Sequence, residues 1–275
     1  LGLLYSTFTA FLGFKVNNDE YKMMGLAAYG KPKYVNKIYQ IIDIKEDGSF
    51  RLNMDYFAYR ESFQMWSQKF EKLFGRPREP KEKITQRYKD LAASIQSVTE
   101  EIYFKMLNHL YQISKTASLC IGGGVALNSL ANGKIYENTP FKNVYVLGPA
   151  GDGGTCIGTA LFAYHQILNK KKRNQIRNLY FGTEYSNEEI EELLEEKKLR
   201  FKKFNDESGL LEKAAELLNQ GKIIGWFQGR MELGPRALGA RSMLAKPSPR
   251  SMKDKINKIK KRESFRPFAG SVLQE

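Results

Sequence analysis

The residues best suited to chemistry lie in two stretches, Gly225 to Ala245 (GWFQGRMELGPRALGARSMLA) and Lys260 to Val272 (KKRESFRPFAGSV). They carry Arg230, Arg236, Arg241, Lys260, Arg262 and Arg266 on backbone punctuated by glycine and proline. Such punctuation predicts loops, so the cations are expected to converge on one place instead of spreading round a helix. A phosphate site needs that convergence. Arginine offers a planar fork of donors that matches phosphate oxygens in pairs, and glycines let backbone N–H groups approach the same oxygens. A solvated basic surface is the usual fate of charge runs, but such a surface alternates Lys and Glu at helical spacing. From Gly229 to Gly239 every charge is instead interleaved with Gly, Pro or an apolar residue.

Charge and composition narrow the ligand. The chain has 275 residues, 42% of them hydrophobic, enough for one large domain or two modest ones. Its net charge of +14 would attract phosphate polymers, but from Lys222 to Glu275 thirteen Lys and Arg face only four Asp and Glu. Most of the excess therefore accompanies the two cationic stretches, and small anionic substrates explain it as well as DNA or RNA would. No zinc-finger spacing or aromatic RNA-stacking motif is present, so nucleic acid is not the expected partner. No stretch approaches the roughly 20 apolar residues of a membrane span, and a cytoplasmic home is the default. Cys120 and Cys156 lack metal-ligand spacing and suit a reducing compartment. Leu1 is not Met, and the chain stops at Glu275 just after an apolar run, so a piece of a longer parent is expected.

The stretch GRMELGPRALGARS (Gly229 to Ser242) with KKRESFRPFA (Lys260 to Ala269) resembles the signature of the NodU/CmcH-type carbamoyltransferases. Members of that family move a carbamoyl group from carbamoyl phosphate onto a hydroxyl of a small molecule. Ala240 stands where Asn or His is common and Gly270 where Pro is usual, while the arginines, Glu232 and Lys260 match. The resemblance implies a second domain like the YrdC/Sua fold, in which carbamoyl phosphate and ATP combine into carbamoyl adenylate. It implies that Arg230, Arg236, Arg241, Lys260, Arg262 and Arg266 grip phosphates. Glu232 and Glu263 would orient the arginines or bind a magnesium ion accompanying ATP, and Ser242 would donate to an oxyanion or to the carbamoyl oxygen.

The elements that must position these residues follow from periodicity. Leu3 to Phe14 and Tyr21 to Tyr29 read as helices, the second ended by Gly30, Lys31 and Pro32. The phrase EYKMMGLAAYG, from Glu20, also resembles the family, which makes Glu20 and Lys22 candidates for the edge of the site. Ile41 to Tyr59 suggests a hairpin turning at Asp47 and Gly48, and Gln64 to Phe74 a short helix. The longest periodic segment, Ile84 to Ser114, aligns Leu91, Ile95, Val98, Ile102, Met106, Leu107 and Leu110. His109 lies beside that stripe and reads as structural.

Two similar units follow: strand Ser118 to Ile121, glycines 122 to 124 and helix Val125 to Tyr136; then strand Asn143 to Leu147, loop GPAGDGG (Gly148 to Gly154) and helix Thr155 to Leu168. Strand, glycine loop and helix, twice over, predict α/β architecture with a ligand crevice at the strand carboxyl ends. These loops resemble the nucleotide-side loops of the actin and sugar-kinase superfamily. On that resemblance Gly122, Gly123, Gly124, Asn128, Gly151 and Gly153, with Arg266, would bind ATP. Asp152 would be a metal ligand, for iron in the full-length family, with partner histidines from an HxxxH helix upstream of Leu1. His109 and His165 lack the spacing to replace them.

Past the charged run Lys170 to Arg173, helices are expected at Glu188 to Leu199 and Gly209 to Gln220. A buried strand at Lys222 to Gln228 and a helix at Ser248 to Lys258 capped by Ser248 should deliver the cations. The expected fold is α/β: residues 1–173 as the second half of an actin/sugar-kinase-like, ribonuclease H-like domain, then residues 174–275 as part of a YrdC-like domain. Acceptor transfer would occur in the first, near Asp152 and Asn128. Expected partners are carbamoyl phosphate and a small hydroxylated acceptor; a homodimer is compatible with this. An ATP-dependent sugar kinase and a tRNA threonylcarbamoyl-type binder are the alternatives, the first leaving the arginine motif without a task.

Overall fold

A computed structural model describes residues 1–173 and 176–273. Up to Asp152 the chain forms α1 (Gly2–Phe11), α2 (Glu20–Ala27), α3 (Val35–Ile38), β1 (Ile42–Ile44), β2 (Phe50–Leu52), α4 (Gln68–Phe74), α5 (Gln86–Ser114), β3 (Ser118–Ile121), α6 (Ser129–Gly133), α7 (Ile135–Asn138) and β4 (Asn143–Val146). A second compact unit begins at Gly153 with α8 (Thr155–Phe162), followed by α9 (Asn187–Glu196), α10 (Glu207–Asn219), β5 (Ile223–Phe227), β6 (Arg241–Ala245) and α11 (Ser251–Ile259). Helices and small sheets make it a mixed α/β protein.

The first unit is built on α5. Leu91, Ile95, Val98 and Ile102 are fully buried, and α1, α2 and α3 pack along that face. Phe8 and Phe11 of α1 meet Phe70 of α4 edge to face, with centroids 5.1 Å apart in both pairs, and Phe74 closes on Phe8 at 5.2 Å. Each buried ring removes enough apolar surface to contribute about 1.5–3 kcal/mol. Met106 and Leu110 leave the expected stripe and are 46% and 43% exposed. Beyond Ile102 the helix passes onto a smaller core with Tyr103 and Leu107, beside Leu119, Ile135 and Phe141, which turns the other two outward. Arg78, buried at 6% exposure, donates to the carbonyls of Leu12 (2.5 Å) and Gly13 (3.2 Å) and so closes the end of α1.

The hairpin expected around Asp47 and Gly48 is present, with Ile42, Asp43 and Ile44 opposite Leu52, Arg51 and Phe50. β3 and β4 run parallel in the register Ser118 to Asn143 through Ile121 to Val146. The segment between them is not the single helix expected from Val125 to Tyr136. A 3₁₀ turn (Gly124–Leu127) ends at Asn128, whose side chain accepts the Ala131 N–H and starts α6 afresh. Asparagine caps helices better than it continues them.

In the second unit β5 and β6 form an antiparallel pair from Ile223–Ala245 to Phe227–Arg241. β5 is half-exposed and not buried as expected, because β6 is its single partner strand among the described residues. The last helix starts at Ser251, not at Ser248. Ser248 precedes Pro249, whose ring disfavours helical backbone in the residue before it. Both cysteines are free, and among the described residues no helix is long and apolar enough to cross a membrane.

Candidate functional site

The segment joining β5 to β6 holds the first cationic stretch, and one carboxylate shapes it. Met231 to Leu233 are tied to Leu179–Thr183 through Gly182 N to Met231 O (2.9 Å), Met231 N to Thr183 O (3.0 Å) and Leu233 N to Leu179 O (2.7 Å). From this ladder the Glu232 side chain, 8% exposed, turns under the following loop. Its Oε1 accepts the backbone N–H groups of Leu238 (2.7 Å), Ala240 (2.8 Å) and Arg241 (3.1 Å). Burial alone would raise its pKa, but the N–H donations from Leu238, its own backbone, Arg241 and Ala240 prevail and hold it at about 2. Glu232 is therefore a fixed anion that organises backbone. Gly239, at a φ of 104°, makes the left-handed step this loop requires, and its N–H is taken by Ser242 Oγ at 3.0 Å.

The six cations fall into three situations. Arg241 is turned onto the protein: Nη1 donates to the carbonyls of Gln228, Gly229 and Ala240, and Nη2 to Thr183, all at 3.0–3.1 Å. Its guanidinium stacks 3.5 Å from the ring centroid of Phe227, its cross-strand partner. Arg262 and Arg266 belong to a loop anchored on Asn257. Arg262 Nε donates to Asn257 Oδ1 (2.5 Å) and stacks on Phe268 at 4.2 Å, while Arg266 pairs with Glu263 at 3.7 Å. Arg230, Arg236 and Lys260 are exposed. Arg230 Nε lies 3.2 Å from Glu184. Arg236 makes no hydrogen bond or ion pair with the described residues, and Lys260 reaches Met243 Sδ at 3.8 Å.

One face of the β5–β6 pair gathers part of this set. Alternation puts Gly225, Phe227, Arg241 and Met243 on the same side, and Lys260 lies against Met243. A Cβ added to Gly225 would meet nothing within 4 Å, so the floor between these cations is open. Arg241 and Lys260 are thus brought to one surface, while Ser242 points to the other side of the strand. Asn257, Phe227 and Phe268 were not singled out from the sequence. Asn257 could have been, since an amide stands at a core-facing position beside Ile256 of an amphipathic helix.

In the first unit the two glycine loops touch. Gly123 N donates to Ala150 O at 2.8 Å, and a Cβ on Gly151 would lie 3.7 Å from the Gly124 Cα. A Cβ on Gly122, Gly123 or Gly124 would meet nothing within 4 Å, so their backbone presents an open face; Gly123 has a φ of 98°. Asn128 faces inward. Its amide pairs reciprocally with Gln96 at 3.1 and 3.0 Å, and Gln96 also accepts from Tyr5 Oη at 2.8 Å. Burial, and then Glu100 and Glu20, push the Tyr5 hydroxyl pKa upward. Glu20 accepts from Ser6 Oγ (2.7 Å) and the Asn17 N–H (2.8 Å), and Lys22 pairs with Asp19 at 3.1 Å.

Asp152 opens a 3₁₀ turn, Asp152–Gly154, that also includes Gly153. Among the described residues no three His, Cys, Asp or Glu side chains stand close enough together to hold a metal ion. One carboxylate is too small a donor set for iron, and Glu232 Oε1 is already taken by three N–H groups. By itself Asp152 supplies one of the several ligands that a resident metal needs.

The arrangement defines an α/β protein in which Arg241 and Lys260 share a glycine-floored face of the β5–β6 pair. Residues 1–161 match the family Carbamoyltransferase N-terminus, and residues 215–275, which include both cationic stretches, match Carbamoyltransferase C-terminus. The chain belongs to the carbamoyltransferase family. Over its whole length it is 48% identical to the uncharacterized protein sll1178 of Synechocystis sp. and 36% identical to nodulation protein NolO of Bradyrhizobium diazoefficiens. It spans 46% of the first and 48% of the second. Over 160 residues, 58% of this chain and 28% of the relative, it is 32% identical to 3'-hydroxymethylcephem-O-carbamoyltransferase of Streptomyces clavuligerus.

Proposed function

We propose that the whole protein is an O-carbamoyltransferase that activates carbamoyl phosphate with ATP and delivers the carbamoyl group to a hydroxyl of a small molecule. The observation that carries this reading is that two cations of the family-matching stretches, Arg236 and Lys260, are exposed and in no ion pair among the described residues, each in a segment whose backbone is pinned, by Glu232 and by Asn257. Family membership supplies the reaction class, and the cephem relative's printed name supports a hydroxyl acceptor. A sugar kinase would leave the arginine stretch idle, although residues 215–275 are the part that matches the family's C-terminus.

Balance of atoms sets the order of steps. Water releases orthophosphate from carbamoyl phosphate, the resulting carbamate attacks the α-phosphorus of ATP and expels pyrophosphate, and the acceptor hydroxyl then displaces AMP from carbamoyl adenylate. The work of the chain is to cancel repulsion between the two polyanions and to hold them in line. Arg236 and Lys260 grip phosphate oxygens. Arg262 and Arg266 meet further phosphate oxygens from the second loop. Arg241 and Glu232 hold the first loop in shape, and Ser242 closes its turn. The YrdC-like character of this region, and an actin-like character of the first unit whose glycine loops would hold the adenylate near Asn128, belong to the same proposal. The test is carbamoyl-phosphate-dependent exchange of labelled pyrophosphate into ATP. Arg236→Ala should lower it at least about 100-fold; unchanged exchange would remove Arg236 from the site.

A further inference from the structure

Helix α11 carries an amide where its core-facing side would take another apolar residue. Met252 and Ile256 are each 7% exposed, and Asn257 is covered more deeply than either, at 1%. A buried amide is tolerated only when its polar atoms are bonded, because each orphaned group costs about 1–3 kcal/mol. In Asn257 all are engaged. Nδ2 donates to Ser264 O (3.2 Å) and Arg266 O (3.0 Å), and Oδ1 accepts from Arg262 Nε (2.5 Å). Its main-chain carbonyl takes the Arg262 N–H as well, at 3.0 Å.

Every one of these partners lies beyond the helix, in a loop with no helix or strand of its own. One side chain therefore sets the backbone at Ser264 and Arg266 and the direction of the Arg262 guanidinium, which then stacks on Phe268. A carboxylate of the same shape could keep the bond to Arg262 but would turn an oxygen toward two carbonyls. An isobutyl group would fill the space and release all three bonds. The amide alone satisfies a cation and two carbonyls together.

We infer that Asn257 is a positioning residue for the Lys260–Arg266 loop, fixing Arg262 and Arg266 for phosphorylated ligands without touching a ligand itself. This rests on the anion-binding reading above.

Asn257→Asp and Asn257→Leu are compared with the unmodified protein in pyrophosphate exchange, varying carbamoyl phosphate and ATP separately. The Arg262 Nε–H resonance is followed in parallel. Both variants should raise KM for the phosphorylated substrates about tenfold or more, and kcat less, as expected when binding groups are misaligned. The Nε–H signal should remain shifted in Asn257→Asp and collapse to the free value in Asn257→Leu. Equal KM and kcat in folded variants and unmodified protein overturn the inference alone. No exchange by the unmodified protein overturns both the inference and the functional reading. Should neither variant fold, the unmodified protein decides: ATP should shift the Arg262 Nε–H signal, and an unmoved signal at saturation rejects the assignment.

Discussion

Around the glycine loops of the first unit, polar side chains are drawn inward. Asn128, Gln96 and Tyr5, each less than 10% exposed, bond one another beneath backbone that faces an open side. Around the basic hairpin of the second unit few side chains are buried, and shape is imposed by two single clamps, Glu232 and Asn257. In one region a hydrophobic core carries the loops; in the other, order depends on a few charge-assisted or amide hydrogen bonds. The first should therefore respond most to lost volume and the second to lost polar partners.

Phe70→Ala should do the greatest damage, removing a ring shared by Phe8, Phe11 and Phe74 and costing about 3–5 kcal/mol in denaturant unfolding. A loss below about 1 kcal/mol would mean that this cluster does not carry the first unit. Arg236→Ala should leave unfolding within about 0.5 kcal/mol while cutting pyrophosphate exchange at least about 100-fold. The reverse pattern, lost stability with kept exchange, would give this arginine a structural task.

Glu232→Ala should destabilise the second unit by about 1–3 kcal/mol by stranding three N–H groups, and proteolysis should then cut first between Leu233 and Ala240. The pH dependence has a definite sign. The folded carboxyl sits near 2, below the ordinary 4.5, so its stabilisation is complete above 4.5 and lost as pH falls through about 2. The melting difference between the native protein and Glu232→Gln should shrink over that window; a difference constant from pH 5 to 2 would contradict the bond network. Asn128→Ala, the smallest change, should cost about 1 kcal/mol as a lost helix cap. No measurable cost would mean that the Asn128 cap on α6 is not formed in solution.

Periodicity made α1, α2, the hairpin, α5 and the strands at Ser118 and Asn143 legible, because apolar spacing and turn residues act locally. It could not show that α5 serves two successive cores, which is why Met106 and Leu110 were misplaced. The cationic stretches were readable by composition. Their division of labour was not, because it depends on contacts distant in sequence. Arg241 is satisfied by the Thr183 carbonyl, 58 residues away, and Asn128 by Gln96, 32 residues away. Glycine and arginine spacing announces a cationic loop without saying which arginine is folded onto the protein and which faces solvent.

The central claim is that the cations of the second unit serve small phosphorylated compounds, and equilibrium binding of ATP tests it most directly. Calorimetric titration of the whole protein should give saturable one-site binding that weakens with salt and is lost in Arg236→Ala. Non-saturating uptake, or an isotherm identical in Arg236→Ala, would contradict the account.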